Sequence, residues 1–254
     1  QATFMIVGIP GLILALAAFF LKEPKRIEEQ VNFDKGVERK NIFLHLKEHK
    51  KTLIPMFGGL IFMALIFYSF SFWAPTMMIR AFNVSLSEVG LILGLITIVS
   101  SIIGTILAGS AVDYLRNNNY SDAPVRAAMI AVMLALPPIV MLSFVSSEIG
   151  AWICIALYLL FISSFAPLGL LAISGVSTGS VKGQAAAIHA FLMMAFGLSL
   201  GPQLTAFFTD FIFADPNLLI NSISLSGLIV LPISALLFKM SLRRYRESSK
   251  KILA

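Results

Sequence analysis

Long apolar runs separated by short polar breaks dominate this chain. Seven windows are apolar and long enough to cross a bilayer as helices: 2–21, 52–79, 86–112, 125–147, 149–174, 183–209 and 216–239. The window 86–112 has the clearest internal pattern. Twenty-four uncharged residues separate Glu88 from Asp113. Within them Gly90, Gly94, Thr97, Ser101, Gly104 and Ala108 recur in steps of four and three, which places them on one helical face. Small residues on one face let two helix backbones approach closely, so this stripe predicts helix–helix packing.

The breaks carry recognisable end signals. Ser85-x-x-Glu88 predicts a capping box at the start of the third window. Asp122-Ala-Pro124 and Asp215-Pro216 predict cap-plus-proline starts for the fourth and seventh. Trp73-Ala74-Pro75 marks the end of the second, with Trp73 assigned to an interfacial aromatic belt. Residues 22–51 form the one long polar connection. Within it Ile42, Phe43 and Leu46 share a side among Lys and Glu, which suits a short helix on the membrane surface or a solvated linker.

Composition agrees with a polytopic membrane protein. The 254 residues are 58% hydrophobic and 13% charged, too apolar for an ordinary soluble domain. The net charge of +6 invites a nucleic-acid reading, but the placement of the bases answers it. With 22–51 set inside and alternation imposed, 18 of the 19 Lys and Arg fall inside and only Arg80 falls outside. That split is a topology signal, with a cytoplasmic C-terminus, and no nucleic-acid partner is expected. Cys154 stands alone in an apolar run, and no metal-ligand spacing surrounds it. The chain starts with Gln1 and has no basic region before its first apolar run, so an upstream part is expected.

A weak internal repeat is visible. Trp73-Ala74-Pro75 and Phe165-Ala166-Pro167 each precede a glycine-bearing helix, and each of those precedes a proline-bearing one. Three helices followed by three similar ones is the inverted-repeat pattern of secondary transporters.

Four stretches resemble the major facilitator superfamily, and within it the Spinster-like transporters. They are Phe4-x-x-x-Gly8-x-Pro10-Gly11 with Glu23-Pro24-x-Arg26; Trp73-Ala74-Pro75 with Arg80, Ser85 and Gly90; Gly109-x-x-x-Asp113; and Gly197-x-x-x-Gly201-Pro202 with Thr209-Asp210. Tyr114 departs from the usual basic residue after the loop aspartate, and Asn117–Asn119 lengthen that loop. The resemblance implies an all-α membrane bundle with seven of twelve transmembrane helices in this chain. Residues 1–21 would be the last helix of an N-terminal half, 22–51 a cytoplasmic linker, 52–242 a C-terminal six-helix half and 243–254 a cytoplasmic tail. The missing N-terminal half would carry the residues that couple transport to protons, so protons stand as a candidate coupling ion.

Enzyme signals are lacking: there is no intramembrane carboxylate pair, no His/Cys cluster and no phosphate-binding glycine loop. No cofactor is expected. His189 is the one ionisable group well inside a window, apart from Cys154 and tyrosines, and such a group is a functional candidate by default. Tyr68, Ser71 and Phe72 share a face, and Tyr158 and Ser164 lie near Pro167. With His189 these form the candidate substrate cavity. Gly109, Asp113 and Arg116 form a candidate conformational latch, an acid one turn before a base. Gly90, Gly94, Gly104, Gly197, Gly201 and Pro202 are the expected packing positions. The leading function is a secondary transporter for a small organic or amphiphilic solute, in the cell membrane, working by alternating access. The alternatives are a seven-helix receptor or a membrane scaffold.

Overall fold

A computed structural model describes residues 42–177 and 180–253, together with Leu16. The first predicted window therefore lies outside the described residues. The other six appear as helical spans close to the predicted bounds: Lys50–Phe82, Leu86–Asn117, Ala123–Phe144, Glu148–Ser174, Val181–Phe213 and Pro216–Lys250. No strand occurs among the described residues.

The helices are α1 (Ile42–Glu48), α2 (Lys50–Phe82), α3 (Leu86–Asn117), α4 (Ala123–Met141), α5 (Glu148–Ile162), α6 (Phe165–Ser174), α7 (Ser180–Leu192), α8 (Ser199–Phe207) and α9 (Leu219–Leu253). Two π-helical segments, Met193–Leu198 and Phe208–Phe213, bracket α8. The two alanine-proline triplets behave differently. Helix α2 runs through Pro75 and ends eight residues later at Asn83, in the left-handed conformation. The α5–α6 span instead breaks at Ser163–Ser164 and restarts at Phe165. The predicted end of the second window at Trp73–Pro75 is thus corrected. A proline inside a spanning helix is tolerated when neighbours satisfy the freed backbone groups.

The capping signals hold in two of three cases. Ser85 Oγ accepts from the Glu88 amide, and Glu88 Oε2 accepts from the Ser85 amide at 3.2 Å. Asp215 Oδ1 accepts from the Asn217 amide at 2.8 Å, with Pro216 in the first turn. Asp122 sits at the predicted position but makes no capping bond. Its carboxylate is used elsewhere, as described below.

The core lies between α2 and α9, which pack along their lengths, with α4 on the other side of α9. Serines on α9 join these helices in a medium without competing water. Ser234 Oγ donates to the Gly59 carbonyl at 2.8 Å, Ser224 Oγ to that of Ile139 at 2.8 Å and Ser241 Oγ to that of Thr52 at 3.2 Å. Helix α9 continues to Leu253, through the segment expected as a tail.

Helix α1 departs from the membrane-surface expectation. Ile42 and Leu46 pack against the core, and His45 is buried with Nε2 3.1 Å from Ser177 Oγ. The helix lies on the bundle, against α7 and the start of α2. Its apolar side finds protein there, which serves the same physical need as lipid.

Candidate functional site

The α7–α8 span shows one unbroken rule. From 181 to 209 its buried residues are Val181, Ala185, His189, Met193, Gly197, Gly201, Thr205 and Thr209, every fourth position and no others. An α-helix has 3.6 residues per turn, so a four-residue step overshoots by about 40°. Over seven such steps the stripe would wind most of the way around the helix. A π turn holds more residues than an α turn and drifts the other way. The π segment Met193–Leu198, inside the stripe, takes back part of that drift.

That face meets different partners along its length. In α8 it is held tightly. A Cβ on Gly201 would collide with the Leu65 carbonyl, so the α8 and α2 backbones touch there. Ser69 Oγ lies 2.7 Å from Thr205 Oγ1, which lies 2.9 Å from Ser226 Oγ, and Ser226 Oγ donates to the Ser222 carbonyl. This hydroxyl chain crosses from α2 through α8 to α9. Trp73 Nε1 donates to the Pro202 carbonyl at 2.8 Å, so Trp73 joins two helices.

In α7 the same face is held, among the described residues, by packing alone. The His189 imidazole is 3% exposed, stacks on Phe57 at 6.3 Å between ring centroids, and fills the space a side chain on Gly169 would need. Its Nε2 has no hydrogen-bond partner. His189 is thus a wedge between α7, α6 and α2, and not a hydrogen-bonded bridge.

Between these two regions lies an aromatic cluster. Phe67 and Tyr68 of α2 meet Phe165 of α6 at 5.0 and 6.0 Å, and a Cβ on Gly197 would press on the Tyr68 ring at 3.2 Å. Tyr68 is half-buried, while Ser71 and Phe72 are exposed on the continuation of that side of α2. The other candidate cavity residues are not brought there. Tyr158 is fully buried against Phe70 at 4.8 Å, and its hydroxyl lacks a partner. Ser164 is buried and donates to the Phe161 carbonyl.

The small-residue stripe of α3 is divided. A Cβ on Gly104 would collide with the Leu160 carbonyl, while one on Gly90, Gly94 or Gly109 meets nothing within 4 Å. The side of α3 that packs in this bundle carries Val89, Leu93, Ile96, Ser100 and Gly104, one residue out of step with the predicted stripe at its start. Ser100 Oγ donates to the Ala156 carbonyl at 3.1 Å. The predicted packing at Gly90 and Gly94 is corrected for contacts among the described residues, because the larger apolar side chains on the neighbouring side take the interface.

The residues of the predicted latch stand at the end of α3. Asp113 and Arg116 are both exposed, and no ion pair joins them. A charge cluster that the sequence did not reveal occupies the same end. Asp122 is fully buried, and its Oδ2 accepts from Arg126 Nη2 at 3.1 Å and from Arg246 Nε at 3.0 Å. Arg126 stacks over the Tyr120 ring at 4.5 Å. Alongside, the Tyr245 hydroxyl donates to the Ala172 carbonyl at 2.8 Å. These contacts tie α9 to the start of α4 and the end of α6. The Asp122-to-Arg126 spacing was legible as a helical pair; the long-range partner Arg246 had no sequence signal.

Among the described residues no cluster of three or more His, Cys, Asp or Glu could hold a metal ion. What the geometry defines is a polytopic helical bundle with serine and threonine hydrogen bonds between spans and an uncharged aromatic cluster. The chain belongs to the Major Facilitator Superfamily, whose family model matches residues 1–202. Its fold is similar to that of a bacterial homologue of the human lysosomal transporter Spinster in an inward-facing, unoccupied conformation, with a TM-score of 0.60 and 16% identity over 99% of this chain. An inward-facing, occupied form of a bacterial Spinster homologue is similar at 0.57 and 16% over 97%. This chain spans 59% and 57% of those two proteins. No curated protein matches the sequence.

Proposed function

We propose that this chain is the larger part of a secondary transporter that moves a small organic or amphiphilic solute across a membrane by alternating access. The family and the six-span bundle support transport; the Phe67–Tyr68–Phe165 cluster carries the choice of solute. Three rings from two spans meet beside a glycine, with no charged side chain among them. Such a wall attracts a hydrocarbon or aromatic body and offers a sugar few polar partners. The similarity to bacterial Spinster homologues agrees with transport. The distribution of Lys and Arg supports a cytoplasmic position for the basic end, with Arg116, Arg126, Lys182 and the α9 terminus.

The test is uptake by proteoliposomes holding the whole protein. A fluorescent single-chain lysophospholipid should enter and a radiolabelled hexose should not. Tyr68→Ala should reduce uptake about tenfold, equivalent to about 1.4 kcal/mol of lost binding. Hexose uptake, or a Tyr68→Ala variant as active as wild type, would refute the aromatic wall as the solute site.

A further inference from the structure

The four-residue stripe that runs down the α7–α8 span is held in two unlike ways, and the change falls at the π segment Met193–Leu198. On one side α8 is fixed to α2 and α9 by a hydroxyl chain, by Trp73 to the Pro202 carbonyl and by backbone contact at Gly201. On the other side the described residues of α7 form no side-chain hydrogen bond to a neighbouring helix. Val181, Ala185 and His189 simply rest in place. The His189 Nε2 is unpartnered in that seat. Leaving the seat therefore breaks no hydrogen bond, and it gives a buried polar atom access to new partners. Leaving the α8 seat would break several bonds in a medium that replaces them poorly.

We propose that α7 is a moving arm, hinged at Met193–Leu198, that leaves its seat on Gly169 and Phe57 while α8 stays fixed to α2 and α9. The π segment supplies the hinge because its turn is wider than the α turns beside it. Relaxing it toward α geometry turns the arm about its own axis and carries His189 off Gly169. Tyr68 touches the hinge at Gly197, so the motion reaches the aromatic cluster. This goes beyond the transport proposal, and its test needs no solute.

The experiment measures spin-label distances in the whole protein in lipid nanodiscs, with Cys154 replaced by alanine. One label pair reports the arm, at Lys182 and Asn117, both exposed. The other reports the fixed region, at Gln203 and Ile153, also exposed. The arm pair should give a broad or two-peaked distribution and the fixed pair a single narrow one. Deleting Ala195, which removes the extra residue of the π turn, should narrow the arm pair. Gly169→Ala fills the seat and should shift the arm pair toward its displaced distance, a readout that stands if the deletion variant fails to fold. Equal breadth in both pairs, or a narrow arm distribution that Gly169→Ala leaves in place, would overturn the hinge.

Discussion

Two regions toward the basic end of the bundle, α7 and the α4–α9 pair, differ in how they are held. Helix α7 is seated by apolar contact and one wedged imidazole. The α4–α9 pair is clamped by a buried carboxylate between two arginines, and the Tyr245 hydroxyl on the Ala172 carbonyl ties α9 to α6 as well. A third region, α8, resembles the clamp more than it resembles α7, although α7 and α8 belong to one span. Directional bonds fix one arrangement, because breaking them leaves unsatisfied polar groups. Apolar contact with a wedge can be exchanged for another apolar contact at little cost. On the proposed hinge, rigidity follows the placement of hydroxyls and charges more than it follows burial.

Substitutions can break the comparison at its strongest point first. Gly201→Leu drives a side chain into a backbone carbonyl that cannot yield, and overpacking costs ~1–3 kcal/mol even where neighbours can shift. Folded protein should be lost, seen as the absence of a monodisperse peak in detergent chromatography. Gly90→Leu, which meets nothing among the described residues, should keep the peak. Equal loss in both would show that this backbone contact is not what holds α8.

Asp122→Ala should come next. Removing one partner of a buried ion pair costs ~3–5 kcal/mol, and the low end applies because both arginines keep solvent contact. A fall in melting temperature should follow, while Asp113→Ala leaves it unchanged. The reverse order would remove the clamp.

The double substitution Ser69→Ala with Thr205→Val deletes the hydroxyl chain. Interhelical hydrogen bonds in membranes average about 0.6 kcal/mol, so the pair should cost about 1–2 kcal/mol. The distance distribution between Gln203 and Ile153 should broaden at the same time. A lower melting temperature with an unchanged distribution would make the chain a stabiliser and leave the fixing of α8 to Gly201.

Gly169→Ala should have the smallest effect, about 1 kcal/mol, because an imidazole can shift where a backbone cannot. His189→Ala in the same protein should restore the lost stability. If the double variant is no more stable than Gly169→Ala alone, His189 is not the group that fills the seat.

Local chemistry was legible along the chain. Apolar length defined six spans near their observed bounds, and Ser85-x-x-Glu88 and Asp215-Pro216 made the expected caps. The position of the packing stripe on α3 was not legible. Small residues at Gly90 and Gly94 and large ones at Leu93 and Ile96 lie on adjacent sides, and only the neighbouring helices choose between them. The every-fourth-residue burial in 181–209 was not legible either, because Val181, Ala185, His189, Met193, Gly197, Gly201, Thr205 and Thr209 share no residue type that sets them apart from their neighbours.

The sequence by itself determined that the chain is a set of membrane-spanning helices, because bilayer thickness sets helix length and the cost of unsatisfied backbone sets helix type. It also placed the basic residues at one end. The tertiary structure decided which polar groups meet. Asp122 with Arg246, Ser69 with Thr205 and Ser226, Trp73 with Pro202, and His189 with Gly169 are separated along the chain and have no local pattern. Their pairing depends on how whole helices pack, and a helix's preference for one neighbour over another is spread over its entire buried face.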